Sequence, residues 1–537
     1  MIDKLRRLWP LALSAFIGFF IASVLLTPKV YSRNTNMYRI LKEKMNILDQ
    51  IIRYVNHFYF DKVDFEKTMD GAFQGFMESL DPHSTYIPPK EQENINEVFK
   101  GNFQGIGIEF DILDGYITVI SPIADSPSDI VGLMPGDKII SIDGNDAYKI
   151  TKSEVFEQLR GKKGTQVIVT IARIGKVKPF DVTIIRDDIP IYSVGAATML
   201  DENTGYIFLR RFSATTQSEV TRAIDTLINQ GMTQLLFDLR GNSGGYLEQA
   251  AAISDQFITS KDTLVYTVGK IKESNQVFRS NPSIGSNDFS LIVLINRGSA
   301  SASEIVSGAI QDLDRGLVLG ETSFGKGLVQ RQLPLESGAA VRVTIARYYT
   351  PSGRLIQRPY DDGEMAYYRE LYALDREDKI DSLKNLRPKY KTKSGRTVYG
   401  GGGITPDIYI PYKSNLNSET AKVIRNPKRP IFNFASQYAS RYKKDFIHFN
   451  NFKENWTVSN SMLQDFFIYL DSDSIKVQKD SIMNNDSEFL KNRIKSELAG
   501  SIWGKNENTN IRLRFDNQVI EALKHFNEAD AFTQSSN

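Results

Sequence analysis

The stretch Leu291-Ile-Val-Leu-Ile-Asn-Arg-Gly-Ser-Ala-Ser-Ala-Ser-Glu304 passes from an unbroken apolar run, through a turn, into small residues. The apolar run Leu291–Ile295 reads as a short buried strand, and the pattern from Ile305 to Leu313 reads as a helix. Two earlier runs, Gly205–Leu209 and Gln234–Leu239, are likewise each followed by a helical pattern. Such alternation predicts an α/β unit with buried, largely parallel strands, here spanning residues 188–412.

The turns that follow these strands carry the chemistry. Serines at a helix start are ordinarily caps. Three serines alternating with alanine after a glycine exceed what a cap needs, and the small neighbours leave room for a peptide backbone. The helix dipole would also favour an alkoxide there. Serine is a poor nucleophile without a base. The turn Thr322-Ser-Phe-Gly-Lys326-Gly-Leu-Val-Gln330 supplies a candidate in Lys326, framed by two glycines and by Phe324, Leu328 and Val329. Burial would lower its pKa from about 10.4 toward neutrality, and a neutral amine can accept a serine proton. The Walker spacing of a phosphate loop is absent. A third turn, Arg240-Gly-Asn-Ser-Gly-Gly245, could aim backbone N–H groups at a developing oxyanion, although it also reads as a plain tight turn. The residues alone leave Ser299, Ser301 and Ser303 equal as candidates.

Composition narrows the chemistry further. The chain has no cysteine, which excludes disulfides, thiol nucleophiles and thiolate metal sites. Its four histidines, His57, His83, His448 and His525, lack metal-ligand spacing and lie outside the richest motif region, so neither a metal nor a Ser-His-Asp triad is expected. A formal charge of +2 over 537 residues, with no basic stripe, argues against nucleic acid as a partner.

Outward from the core, the expected organisation is multidomain α+β. Lys4, Arg6 and Arg7 precede an apolar run from about Leu8 to Leu26, close to the roughly 20 residues a membrane-spanning helix needs. Residues 1–33 therefore read as an N-terminal membrane anchor, with a cleaved signal as the rival reading. The basic flank would keep the N-terminus inside and the bulk of the chain on the exported, periplasmic side of an inner membrane. Residues 34–100 read as a small helical domain, with Tyr38, Leu41, Met45, Leu48, Ile52 and Val55 on one face that could pack on the rest of the chain or on a second copy, as a homo-oligomer. Residues 101–187 read as short strands around a helix at Ser153–Leu159. Residues 413–537 read as a polar helical extension, disordered from Thr533.

Two glycines in Gly105-Ile-Gly-Ile108 sit at a strand start, where successive N–H groups could hold an anion. With the downstream Ala124-Asp-Ser-Pro-Ser-Asp-Ile-Val-Gly-Leu-Met-Pro-Gly-Asp-Lys138, this segment resembles the PDZ domains of bacterial proteases. The resemblance implies that Gly105, Ile106, Gly107 and Ile108 hold a substrate carboxylate, and that Val155, Leu159 and Ile108 line its apolar pocket. Arg160 reads as a solvated surface charge.

Gly298-Ser-Ala-Ser-Ala-Ser-Glu-Ile305, Phe324-Gly-Lys-Gly327 and Gln330 resemble the carboxyl-terminal processing peptidases, or tail-specific proteases. So do Leu80-Asp-Pro-His-Ser-Thr-Tyr86, Leu239-Arg-Gly-Asn-Ser-Gly-Gly245 and Gly403-Ile-Thr-Pro-Asp407, and the likeness covers about residues 40–412. It implies a core of crotonase/ClpP-like topology, Ser301 as nucleophile, Lys326 as base and Gln330 as its orienter. It further implies oxyanion donors at Gly244 or Gly245 and at Ala302, no cofactor, and protein substrates with apolar C-termini. Asp312 matches an acidic position of some members. A non-catalytic membrane-anchored PDZ scaffold and another α/β acyl-transfer enzyme are the rival functions.

Overall fold

The computed structural model describes residues 34–284, 289–373, 375–383, 386–413 and 416–535. The expected anchor, residues 1–33, lies outside these. Among the described residues no helix is long and apolar enough to cross a membrane.

The chain divides into two compact units, Met1–Phe76 and Met77–Asn537. In the first, helix Asn34–Phe58 is amphipathic as expected, and Tyr38, Leu41 and Met45 on its apolar face are half-exposed or more. The helical domain expected over 34–100 ends early. Thr85–Ile87 is a strand antiparallel to Ala340–Arg342, and Met77 and Tyr86 pack on Ala339. Asp81-Pro82 breaks the helical pattern, and the residues after it are captured by the larger unit rather than by their neighbours in sequence.

Residues 102–190 form a small β-rich domain, closed by pairing of Asn102–Gly105 with Asp187–Pro190. Strands Ile108–Leu113, Tyr116–Pro122, Lys138–Ile142, Gln166–Ala172 and Phe180–Ile185 make an antiparallel sheet in that order, with helix Lys152–Leu159 alongside. Ile117, Val119, Ile139, Val167 and Ile171 alternate inward and are fully buried. Ile108–Leu113 lies at the end of the sheet, so one side of its backbone is open to another strand.

The core sheet runs β1 (Val194–Met199), β2 (Thr204–Leu209), β3 (Gln234–Asp238), β4 (Ser290–Ile295), β5 (Leu317–Gly320) and β6 (Ile408–Tyr409). β1 is antiparallel to β2, and all other pairs are parallel. Ile207, Phe237, Val293 and Val318 align across the sheet and are fully buried. They face helices α1 (Thr216–Asn229), α2 (Leu247–Phe257) and α3 (Ala302–Asp312). Tyr206, Leu236, Ile292, Leu294 and Leu319 face the other way, onto Leu513, Val519, Ala522 and Phe526 of the C-terminal extension. Both faces are covered, which is why these strands read as continuous apolar runs rather than alternating ones.

The extension is therefore the second layer of the core as well as a helical bundle. Helices α4 (Asn517–Ala522) and α5 (Phe526–Ser535) lie on the sheet, and α5 extends to Ser535, into the segment expected to be disordered from Thr533. Each large apolar side chain buried there contributes about 1.5–3 kcal/mol, so covering this face is a sufficient reason for α5 to order. Helices Pro430–Tyr442, Asn460–Ser472 and Ser487–Ile502 form the rest around Phe466, Phe467, Leu490 and Ile494.

Candidate active site

Three turns meet above the sheet: Leu239–Gly245 after β3, Asn296–Ser301 after β4, and Thr322–Gly327 after β5. Parallel strands end on the same edge, so the topology brings these turns together. Side chains of the turns then bolt them to one another. Asn296 Oδ1 accepts from Gly241 N–H and Gly298 N–H, each at 2.9 Å. Ala300 N–H donates to Asn242 O at 3.0 Å, and Phe324 N–H donates to Ser299 O at 2.9 Å.

Geometry separates the three serines. Ser299 and Ser303 are fully buried, and their hydroxyls donate to Leu239 O and Asn242 O, both at 2.8 Å. They are structural ties. Ser301 is partly exposed and holds φ +54°, ψ −111°, a conformation that non-glycine residues rarely adopt. Such strain persists only where surroundings enforce it. Here Ser301 N–H donates to Glu304 Oε2 at 2.8 Å and Tyr348 Oη donates to Ser301 O at 3.1 Å.

Glu304 is fully buried and fixes the serine against the lysine. Its Oε2 accepts from both Ser301 N–H and Lys326 N–H, at 2.8 and 2.9 Å. Its Oε1 accepts from Ser323 Oγ and Gly325 N–H, both at 2.6 Å. Burial raises its pKa above the usual carboxylate value, and the four donors on its two oxygens, which leave no acceptor for a carboxyl proton, oppose that rise. We take it as the anion. Sequence reasoning passed over Glu304, although Ser-x-x-Glu at a helix start is a capping-box signature.

Lys326 Nζ donates to Gln330 Oε1 at 2.7 Å, and Gln330 Nε2 donates to the carbonyl of His83. The second bond fixes which end of the amide faces the lysine. Burial, reinforced by the Arg342 charge, pushes Lys326 down to about 8. His83 thus stands at the site although it lies far from these turns in the sequence, its carbonyl on Gln330 and its ring on Tyr367. Asp81 Oδ1 accepts from His83 N–H and Ser84 N–H at 2.9 Å and shapes that turn. The His83 ring meets Tyr367 Oη at 3.1 Å, and burial with the Lys326 charge pushes it down to about 4, so it is neutral at pH 7. In the sequence, only the segment Asp81-Pro-His-Ser84 hinted at this.

Gly244 and Gly245 both have positive φ, 102° and 151°. A Cβ on Gly244 would lie 2.9 Å from Ser301 Cβ and 3.0 Å from Ala302 N, so the two turns are in contact here. Gly244 N–H is taken by Asn242 Oδ1 at 2.9 Å. The N–H groups of Gly245 and Ala302 have no acceptor among the described residues. Asp312 lies at the far end of α3, accepting from Ser352 N–H at 3.0 Å and pairing with Arg354 at 2.7 Å; its place is structural.

In the small β-rich domain, Gly105 ends the strand Asn102–Gly105. Ile106 is buried, with its carbonyl accepting from Ser128 N–H at 2.9 Å. Gly107 has φ +82°, and a Cβ there would lie 2.2 Å from Ser126 Cβ. Ile108 opens the edge strand. Val155 and Leu159 are buried in the domain core, while Phe156 on the same helix is exposed and faces Phe110 at 5.4 Å. Arg160 is not a solvated charge: it pairs with Glu97 at 2.6 Å and lies over Phe103 and Phe156.

Residues 203–361 match peptidase family S41, residues 104–184 match the PDZ domain, and residues 425–504 match a family of unknown function. The carboxy-terminal-processing protease of Bartonella bacilliformis is 38% identical over 349 residues, 63% of this chain and 79% of the relative. The carboxy-terminal processing protease CtpA of Bacillus subtilis is 35% identical over 337 residues, 62% of this chain and 72% of the relative. With its PDZ domain and α/β core, the chain belongs to the carboxy-terminal processing proteases of peptidase family S41.

Proposed function

We propose that the chain is a serine endopeptidase working through a Ser301–Lys326 dyad. The observation that carries the reading is Glu304 Oε2, which accepts from the backbone N–H of both residues and so holds their backbone nitrogens within two hydrogen-bond lengths of one another. Lys326 uses one N–H on Gln330, which leaves the lone pair of its neutral form free to turn toward the serine. Lys326 takes the hydroxyl proton as Ser301 attacks the scissile carbonyl. The N–H groups of Ala302 and Gly245, with Gly244 packed behind them, stabilise the oxyanion. Lys326 then protonates the leaving amine, and water hydrolyses the acyl-enzyme by the reverse path.

Substrates on this reading are exported proteins with apolar C-termini, captured as an added strand beside Ile108 with the carboxylate on the N–H groups of residues 105–108. The apolar run at 8–26 anchors the chain in an inner membrane with its bulk on the periplasmic side. The exposed apolar face of Asn34–Phe58 takes a second copy. The test is digestion of an unstructured protein by wild type, Ser301→Ala and Lys326→Ala. Cleavage retained in both variants would sink the dyad.

A further inference from the structure

The extension beyond Lys413 reaches the root of the glycine turn. Arg240, the first residue of that turn, is held by two carboxylates. Its Nε and Nη2 donate to Asp238 at 3.0 and 2.6 Å. Its Nη1 and Nη2 donate to Asp516 Oδ1 and Oδ2 at 3.0 and 2.9 Å, and Nη1 also reaches Gln518 Oε1 at 2.8 Å. Asp238 belongs to the strand below the turn and is itself tied to Arg240 N–H at 2.9 Å and Tyr206 Oη at 2.7 Å. Asp516 comes from the extension. The same residue caps α4, accepting from Gln518 N–H at 3.0 Å and Val519 N–H at 3.1 Å, and Gln518 Nε2 donates to Ile410 O at 2.7 Å. Asp516 is thereby fixed to the sheet it contacts.

From Arg240 the turn runs through Gly241, which donates to Asn296, and Asn242, which accepts from Ala300 and Ser303, to Gly245. Asp238 alone meets the guanidinium from the side of its own strand. A second, two-toothed carboxylate on the opposite side fixes the plane of the fork as well as its position. We propose that Asp516 is a positioning residue for catalysis: through Arg240 it sets the glycine turn, and with it the Gly245 N–H, against Ser301. The extension is then part of the active-site scaffold. This rests on the reading of Gly245 and Ala302 as oxyanion donors.

Asp516→Asn tests it in the full chain. The amide keeps the size and one acceptor for the helix cap, but puts an NH2 against the guanidinium and removes the charge pair. Expected is a fall in kcat of about tenfold on a short chromogenic peptide, with KM within twofold, since a misplacement well under 1 Å suffices. Acylation of Ser301 by a fluorophosphonate, counted per titrated site, should slow in parallel. The pH midpoint of activity should stay, because Arg342, Asp81 and Glu304 are the charges that bear on Lys326. Arg514→Ala, two residues from Asp516, removes an exposed pair with Glu454 and should leave kcat unchanged. An unchanged kcat in Asp516→Asn, or a loss explained entirely by fewer titratable sites, overturns the proposal. Hydrolysis retained in Ser301→Ala would sink the underlying reading, and the proposal with it.

Discussion

Lys326 and Lys495 are both pushed down to about 8 by burial, one above the core sheet and one inside the C-terminal bundle. Their surroundings differ in kind. Lys495 Nζ donates to the carbonyls of Lys453 and Trp456, at 2.9 and 2.5 Å, and lies 5.3 Å over the Phe452 ring. Those neighbours accept hydrogen bonds and have no proton to give. Lys326 has an oriented amide on one side and, across Glu304, a hydroxyl-bearing residue in a strained conformation. A depressed lysine pKa is the mark of burial. What the amine can do is decided by the neighbour that could lose a proton to it.

Replacing each partner should therefore split the pair sharply. Ser301→Ala and Lys326→Ala should each lower kcat by roughly 10⁴-fold or more, the scale seen when one member of a cooperative nucleophile–base set is removed. Lys495→Met should leave kcat within twofold. Steady-state turnover of an unstructured protein decides this, and a comparable loss in Lys495→Met would erase the distinction.

The next largest effect is the pH profile. Lys326 is a base only when neutral, so kcat/KM should rise with pH and level off above a midpoint near 8, tenfold per pH unit on the acid side. A profile flat from pH 6 to 9 would rule out Lys326 as the base. Glu304→Gln should follow, with kcat down about ten- to a hundredfold, because the amide NH2 would face the Ser301 and Lys326 N–H groups. The Glu304 anion favours the ammonium form of Lys326, so its removal should also move the midpoint to lower pH. A midpoint that stays or rises would mean that Glu304 is not charged.

Much of this site was legible because strand–turn–helix alternation is local. The runs at 205–209, 234–239 and 291–295 became β2, β3 and β4, and Lys326 sits partly buried in its glycine frame, with its pKa lowered. Local pattern could not choose among Ser299, Ser301 and Ser303. That depends on which hydroxyls are spent on Leu239 O and Asn242 O, about 60 residues earlier in the chain. The roles of Thr85–Ile87 and of Asp516 were hidden for the same reason. Their partners lie at 340–342 and at Arg240, and no spacing in the sequence records a contact of that range.

The smallest expected effect bears on the same two lysines through stability. The native pKa of Lys495 lies below its unfolded value of about 10.4. Below pH 8 both states carry the proton, and the native state bears the whole cost of a buried cation. Between pH 8 and about 10.4 the unfolded chain binds a proton that the native chain does not, so native stability gains as pH rises. Lys326 contributes in the same direction. Lys495→Met removes one of these two contributions and leaves the Lys453 and Trp456 carbonyls without their donor. Its stability relative to wild type should therefore fall by on the order of 1 kcal/mol between pH 7.5 and 10. The readout is the urea midpoint of the full chain at both values. The two chains titrate alike elsewhere, so a difference that does not change with pH would show that Lys495 keeps its proton, and that burial in the bundle is less complete than burial beside Ser301.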